Sequence, residues 1–173
     1  KVIYVYFRDK KGKRLAWLPI VGNTFAVVLF VLLAWGIADR KNVSVREVEV
    51  SIDGLPTAFD GLKIVQITDV HVGCLDGARE YLNSLVEISN SYNPDIVMLT
   101  GDLINVAAWE AEGTEGSLNG CTAKKGKYAV LGNHDYGKYY KWDSAQDSID
   151  NLEAVKNIYR NFDFDLLLNE NRV

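Results

Sequence analysis

The first pattern along the chain is one long apolar run close to its N-terminus. Residues 15–38 read LAWLPIVGNTFAVVLFVLLAWGIA and contain no charged side chain. A helix needs about 20 apolar residues to cross the core of a bilayer, and a helix satisfies its own backbone hydrogen bonds there. Trp17 and Trp35 lie near the two ends, where interfacial aromatic residues are common. The run therefore predicts a transmembrane helix over 15–38. A buried core helix and a cleaved signal peptide are the weaker alternatives.

Beyond residue 40 the pattern changes to short runs that are typical of strands. Alternating apolar residues from Val43 to Ile52 predict a first strand, which is followed by an Asp-Gly-Leu-Pro turn. Nearly continuous apolar runs at 63–68, 95–100 and 127–131 predict three more strands, of the kind found in a sheet that is covered on both faces. A last run at 164–168 predicts another strand.

Helical spacing of apolar residues appears between these runs. It predicts a helix over 76–92, with Asp76 as its N-terminal cap and Pro94 just beyond its end. A second helix is predicted within 144–159, whereas 112–127 has no clear period and is expected to be a loop. Strand, helix and strand at this spacing indicate a βαβ unit and an α/β fold.

Charge divides the chain into two unlike parts. The first 46 residues hold 9 Lys and Arg against 2 Asp and Glu, and the remaining residues hold 10 against 21. The net charge of -4 argues against a protein held to nucleic acid by bulk positive charge, so no nucleic-acid partner is predicted. Six basic residues lie in a flank at 1–14 and three lie at 40–46. The positive-inside rule then places the N-terminus in the cytoplasm and the following region outside it, with the reverse topology as the alternative.

Polar clusters follow three successive predicted strands, at the end where sites form in open α/β sheets. Carboxylate, imidazole and amide oxygen are ligands of divalent metals such as Mn, Fe(II) or Zn. Each cluster alone is compatible with an ordinary turn or helix cap. However, both histidines of the chain lie in these clusters, which favours a metal site. The clusters are Asp69-Val70-His71, Gly101-Asp102 and Gly132-Asn133-His134-Asp135.

These clusters resemble the ordered pattern of the calcineurin-like metallophosphoesterases: Asp-x-His, then Gly-Asp, then Gly-Asn-His-Asp or Glu, each after a strand. The match is strong over 60–137, and the lead-in from Phe59 resembles a membrane-anchored bacterial branch that includes phosphodiesterases and pyrophosphatases. The resemblance implies an α-β-β-α sandwich. In that arrangement 39–58 is a linker with the first strand, and 59–173 is the N-terminal half of the phosphoesterase domain.

The resemblance also implies roles for the clustered residues around two divalent metal ions, with Mn, Fe or Zn expected. Two such ions activate water and clamp phosphoryl oxygens. The implied metal ligands are Asp69 and His71 for the first ion, Asp102 as the bridge, and Asn133 for the second ion. His134 would face the substrate as the catalytic residue. Asp135 would orient His134, with a plain turn or cap role as the equal alternative.

One departure from the family pattern concerns the later ligands. The family adds further histidines downstream, and this chain has none after His134. We therefore expect a fragment of a membrane-anchored phosphoesterase that is inactive alone, in the membrane of a bacterial cell. A non-catalytic membrane-anchored binding module with a degenerate metal site is the alternative. The expected partners are the lipid bilayer and a phosphoester substrate, with nucleotide and lipid-linked phosphoesters both left open.

Overall fold

A computed structural model describes residues 17–172. Its first helix, α1, spans Trp17–Asp39, buries none of its apolar side chains, and is long and apolar enough to cross a membrane. Beyond the helix, Asn42 donates a backbone hydrogen bond of 2.8 Å to the carbonyl of Asp39. The predicted helix is therefore confirmed over its described part, whereas residues 15 and 16 and the basic flank 1–14 lie outside the described residues. The chain divides after Ser44 into two compact units, and the second contains the sheet.

A four-stranded parallel sheet forms the centre of the second unit, with the strands in the order β1-β2-β3-β4. The predicted α/β fold with a parallel sheet is thus confirmed. Val97, Leu99 and Ala129 are buried on one face of the sheet, whereas Met98 and Val130 of the same strands remain exposed. The prediction of a sheet covered on both faces was therefore wrong for the described residues. The strands are β1 at Ile64–Ile67, β2 at Ile96–Thr100, β3 at Gly126–Val130 and β4 at Asp165–Leu166.

Two α-helices accompany the sheet, close to their predicted positions. Helix α2 spans Ala78–Ser91 and buries Leu82 and Leu85. The prediction of Asp76 as its cap was wrong, because the capping position is Gly77 in a left-handed conformation (φ 74°) without a side-chain cap. Glycine reaches this conformation without the steric cost of a Cβ atom.

Helix α3 spans Ala145–Asn161 and begins with a reciprocal cap. The hydroxyl of Ser144 accepts a hydrogen bond from the backbone of Asp147 at 3.1 Å, and the Asp147 carboxylate accepts one from the backbone of Ser144 at 3.0 Å. This capping box satisfies two backbone donors that the first turn leaves unpaired. The helix buries Val155 and Tyr159 on the side that faces the domain interior.

The strand predicted between Val43 and Ile52 does not form. Within the described residues this segment is not paired with any other strand, and its apolar side chains remain exposed. Alternation supplies an apolar face, but a strand also needs a neighbouring strand to accept and donate its backbone hydrogen bonds. The prediction of a strand from alternation alone was therefore wrong.

The connection from β2 to β3 contains no α-helix, which agrees with the loop expected there. Its one short 3-10 helix lies at Ala108–Ala111, and turns follow to the start of β3. The connection is nevertheless well packed, because Leu103, Ile104 and Leu118 are fully buried. It therefore covers the sheet with apolar side chains although it lacks a helix.

Candidate metal centre

The loops that follow β1 and β2 stay paired beyond the ends of the strands. The backbone N–H of Asp69 donates to the carbonyl of Gly101 at 3.2 Å, and that of His71 donates to the carbonyl of Asp102 at 3.1 Å. The next residue, Val72, donates to Leu103 at 2.9 Å. This continued ladder brings the first two polar clusters side by side at the carboxyl edge of the sheet.

Two glycines allow the second and third clusters to touch. A Cβ atom on Gly101, which has a φ of 88°, would overlap the backbone nitrogen of Gly132. A Cβ atom on Gly132 would overlap the carboxylate of Asp102. Glycine is therefore required at both positions by close approach of the two loops, and not only by turn geometry.

Three predicted site residues have left-handed backbones, with φ values of 54° at Asp69, 49° at His71 and 54° at Asp102. This region is uncommon for residues that carry a Cβ atom, and such conformations cluster at functional sites, where surrounding contacts maintain them. Here the ladder between the two loops supplies those contacts. Three of the six non-glycine residues with positive φ in the described chain are thus predicted metal ligands.

His71, Asp102 and His134 form a compact group, with one potential ligand atom from each lying within 4.8 Å of the others. The two imidazole rings meet edge to face, with centroids 4.8 Å apart. The backbone N–H of His134 donates to Oδ1 of Asp102 at 2.9 Å, which fixes the third cluster to the second. One residue from each of the three clusters is therefore present in the group.

His71 gives this group a specific reason to bind a cation. Its Nδ1 is buried and has no hydrogen-bond partner among the residues that the structure describes. A buried polar nitrogen without a partner is costly, and a metal ion is one ligand that would satisfy it. Imidazole and carboxylate together suit a borderline divalent ion. The residues present therefore fit the metal that the sequence pattern implies.

Asp69 and Asn133, the other two predicted ligands, lie at the exposed side of this edge. The carboxylate of Asp69 accepts a hydrogen bond of 2.6 Å from the hydroxyl of Thr68. The amide nitrogen of Asn133 donates to the Tyr139 hydroxyl at 2.9 Å, which leaves its Oδ1 as the atom for a cation. Neither residue belongs to the compact group, so their roles as ligands stay predictions.

Asp135 holds the loops together from beneath the site. Its side chain is fully buried, and it accepts backbone hydrogen bonds from Asp102 at 2.9 Å, Leu103 at 3.1 Å and Gly132 at 2.8 Å. It also accepts a longer one of 3.4 Å from a further amide in the same loop and one of 2.7 Å from the Tyr159 hydroxyl. These donors compensate for the lost hydration of a buried carboxylate.

One of the two roles predicted for Asp135 was to orient His134. In the structure a different residue orients this histidine. Nδ1 of His134 lies 2.7 Å from the backbone carbonyl of Asn105, and the Asp135 carboxylate is bonded to backbone amides and to Tyr159 instead. Because the Asp135 side chain is buried under the loops, it reaches their amides rather than the imidazole. The orienting contact comes from a main-chain atom, which no side-chain pattern reveals.

Glu110 secures the Asn105 carbonyl. Its carboxylate accepts hydrogen bonds from the backbone N–H groups of Asn105 at 2.6 Å and Val106 at 3.1 Å. Neither Glu110 nor Asn105 was predicted to have a role in the site. A carboxylate five residues beyond a loop amide gives no recognisable signal, because this contact depends on the path of the loop.

Tyr159 is the last residue of the range 144–159 in which the second helix was predicted. In the structure it is fully buried, and its hydroxyl donates to Asp135. Burial raises the pKa of Tyr159 well above its ordinary value, and the adjacent negative charge and hydrogen bond of Asp135 raise it further. A buried phenol requires a hydrogen-bond partner, so the requirement was foreseeable even though the partner was not.

Three aromatic side chains form a cluster that we call the aromatic rim. Trp109 comes from the connection between β2 and β3, and Tyr140 and Trp142 come from the segment before α3. Their rings meet edge to face with centroids 4.7–5.8 Å apart. Trp109 and Tyr140 remain 46% and 45% exposed, and the Trp142 indole donates to the carbonyl of Gly137 at 2.8 Å. The rim thus offers apolar surface that solvent still reaches.

Comparison with known proteins agrees with this geometry. The family model for the calcineurin-like phosphoesterase matches residues 62–172. A transmembrane protein with metallophosphoesterase domain from Danio rerio is 31% identical over 64% of this chain and 25% of its own length. The UDP-2,3-diacylglucosamine pyrophosphatase LpxG of Chlamydia muridarum is 32% identical over 71% of this chain and 39% of its own length.

A further relative is the uncharacterized metallophosphoesterase YkuE of Bacillus subtilis, 34% identical over 49% of this chain and 30% of its own length. No solved structure gives a significant match. The chain spans between a quarter and two fifths of the length of these curated relatives. The matched region contains every residue of the metal group, and on this basis the chain belongs to the calcineurin-like phosphoesterase family.

Proposed function

We propose that this chain supplies the metal centre of a membrane-anchored phosphoesterase that hydrolyses a phosphodiester or pyrophosphate bond. The observation that carries the proposal is the convergence of His71, Asp102 and His134 at one edge of the sheet, within the region that matches the family. The buried, unpaired nitrogen of His71 adds a physical reason for a cation there. The whole protein's activity is part of this proposal.

In the proposed centre, Asp69 and His71 would hold one divalent ion, Asn133 would hold a second, and Asp102 would be a ligand shared by both. When bound, the ions would supply a water nucleophile of lowered pKa and a positive clamp on the phosphoryl oxygens. Mn, Fe or Zn suits a set of imidazole, carboxylate and amide-oxygen donors. The hydrogen bond from His134 to Asp102 fixes the carboxylate in place before any ion binds.

His134 is the proposed proton donor. A carbonyl oxygen only accepts hydrogen bonds, so the contact with Asn105 requires that Nδ1 of His134 carry its proton. Nε2 is then the nitrogen that faces the reaction. In the protonated ring Nε2 donates to the leaving oxygen, and in the neutral ring it offers a lone pair. The Asn105 carbonyl thus sets both the tautomer and the direction of the ring.

Among phosphoester substrates we favour a lipid-linked one over a free nucleotide. One relative is named as a pyrophosphatase of UDP-2,3-diacylglucosamine, which carries acyl groups. The aromatic rim offers exposed apolar surface, and helix α1 suits anchoring in a lipid bilayer. Tyrosine and tryptophan are the side chains that favour the boundary between lipid and water. We propose a bacterial cell membrane as the location, with the site on the extracytoplasmic side.

The test uses the full-length protein in detergent, with bis-p-nitrophenyl phosphate as substrate and Mn(II) as the added metal. Asp102→Ala and His134→Ala should each lower turnover by about 100-fold or more, because the first removes a shared ligand and the second removes the acid. Glu87→Ala, on the exposed side of α2, removes a carboxylate without touching the site and should retain full turnover. Bound manganese is measured in parallel.

Two results would contradict the proposal. Unchanged turnover in both Asp102→Ala and His134→Ala would show that the site lies elsewhere. Wild-type protein that binds manganese in a manner dependent on Asp102 but hydrolyses neither phosphodiester nor pyrophosphate substrates would instead support the alternative of a non-catalytic binding module.

A further inference from the structure

Tyr139 touches two residues of the third cluster at once. Its hydroxyl accepts the hydrogen bond from the amide nitrogen of Asn133 at 2.9 Å. Its ring lies over the imidazole of His134, with centroids 4.4 Å apart and planes inclined by 27°. The side chain is nevertheless 60% exposed, so it covers the site from the solvent side rather than from the core.

The path of the loop explains how Tyr139 returns over the cluster that precedes it. Gly137 donates its backbone N–H to the carbonyl of His134 at 2.9 Å, and its φ of 64° reverses the chain. Trp142 then fixes the turn by donating its indole N–H to the carbonyl of Gly137. These contacts hold the loop in the shape that places Tyr139 above the metal centre.

In this structure the contact with Tyr139 engages the nitrogen of the Asn133 amide and leaves its oxygen free. An exposed asparagine can rotate, and its nitrogen and oxygen can exchange positions, but only the oxygen is a metal ligand. A hydrogen bond from Nδ2 to the Tyr139 hydroxyl occupies the nitrogen and leaves Oδ1 for the ion. Without that bond, binding a metal would have to order the side chain at an additional entropic cost.

The stacked ring restricts His134 in a second way. The Asn105 carbonyl fixes Nδ1, and the edge of His71 closes one side of the imidazole at a centroid distance of 4.8 Å. Tyr139 lies against the imidazole plane. Rotation of the ring is thereby limited by three contacts of different kinds.

We propose that Tyr139 is a positioning residue of the metal centre: its hydroxyl presents the Asn133 oxygen to the ion, and its ring holds the His134 imidazole in plane. The inference rests on the proposed function above. Because the hydroxyl and the ring of Tyr139 have different proposed roles, two variants are needed to test them. Tyr139→Phe removes the hydroxyl and keeps the stacked ring, whereas Tyr139→Leu removes both.

The first measurement is the affinity of the full-length protein for Mn(II), determined by calorimetry in the absence of substrate. Tyr139→Phe should weaken the site that contains Asn133 by about 10- to 100-fold, the usual effect of removing a partner that orients a metal ligand. Tyr128→Phe is the matched control, because it removes an exposed hydroxyl bonded to the Lys125 carbonyl near the start of β3. It should bind manganese as the wild type does.

The second measurement is turnover at increasing Mn(II). Excess metal should restore the kcat of Tyr139→Phe to the wild-type value, because only ligand presentation is lost. It should leave Tyr139→Leu at least about tenfold slower, since that variant also loses the contact that holds the proton donor. Circular dichroism and thermal unfolding of each variant test whether the fold is retained.

Wild-type manganese affinity in Tyr139→Phe would overturn the inference, provided that Asp102→Ala abolishes binding in the same assay. If Asp102→Ala also binds normally, the proposed function itself fails. Loss of kcat in Tyr139→Phe that excess metal does not restore would likewise contradict a role in ligand presentation. The two failures are therefore distinguishable.

Discussion

At the scale of single residues, the most constrained side chain supports the site rather than forming it. Asp135 accepts hydrogen bonds from both the β2 and β3 loops and from Tyr159 of α3. A hydrogen bond to a charged group contributes about 1.5–3 kcal/mol, and an unsatisfied buried partner costs a similar amount. The relative positions of Asp102 and His134 therefore depend on a buried carboxylate that lies outside the group of potential metal ligands.

Replacing Tyr159 by Phe tests this support directly. We expect Tyr159→Phe to lower the free energy of unfolding by about 2 kcal/mol, because the buried Asp135 carboxylate loses one donor and keeps its backbone donors. Urea unfolding measures the change. Tyr128→Phe, which loses only an exposed hydroxyl, should stay within about 0.5 kcal/mol of wild type. Equal stability of the Tyr159 variant and wild type would show that the buried bond contributes nothing.

The same variant has a pH signature. The folded-state pKa of Tyr159 lies above the ordinary value of 10.0, so the stability linked to this group is fully present below pH 10. Above that pH the tyrosine releases its proton in the unfolded state and retains it in the folded state. The unfolded state is therefore stabilised relative to the folded state. The wild type should therefore lose stability more steeply than Tyr159→Phe as the pH rises beyond 10. Parallel curves would contradict this linkage.

At the scale of elements, the strands that were predicted correctly had two signals in the sequence: an apolar run and a polar or glycine residue just beyond it. β1, β2 and β3 lie in apolar runs that are followed by Asp69, Gly101 and Gly132, and their carboxyl ends share one edge of the sheet, as in any set of parallel strands. The segment from Val43 to Ile52 had one signal only, its alternation, and no partner strand pairs with it in the described chain. Periodicity reports which side chains share a face, and pairing requires a neighbour that periodicity cannot supply.

The residues of the site also fall into two groups, those that the sequence predicts and those that it does not. His71, Asp102 and His134 could be predicted because each follows a strand, and strand ends converge whatever the loops do. The contacts of Asn105 and Tyr139 could not, because they depend on how two loops fold back. Predictions from strand ends are therefore robust, whereas predictions of orienting contacts need coordinates.

The cap of α3 provides a prediction at this scale. Ser144→Ala removes the acceptor for the Asp147 amide and should lower the free energy of unfolding by about 1 kcal/mol. Ser148→Ala, inside the same helix, should be neutral or slightly stabilising, because alanine is the better helix former. Chemical denaturation of both variants tests the pair. A loss as large in Ser148→Ala as in Ser144→Ala would show that the effect is not capping.

At the scale of the whole molecule, the charge division corresponds to two units with different surroundings. Helix α1 buries none of its apolar side chains, which suits lipid, and the unit from Val45 onward carries most of the acidic residues and the predicted metal ligands. The centre needs acidic ligands, but most of the acidic residues are exposed and lie outside it. The division in charge therefore follows the boundary between the apolar helix with its basic flanks and the sheet-containing unit more than it follows the chemistry of the site.

The two cysteines allow the side of the membrane to be determined. Cys74 is exposed, whereas Cys121 is buried, and burial raises the pKa of its thiol, which slows its reaction. The excess of basic residues before α1 predicts that the domain is outside the cytoplasm. A membrane-impermeant maleimide should therefore label the protein in intact cells, and Cys74→Ser should lose that label. Labelling of Cys74 only after the cells are permeabilised would place the domain in the cytoplasm and contradict the prediction.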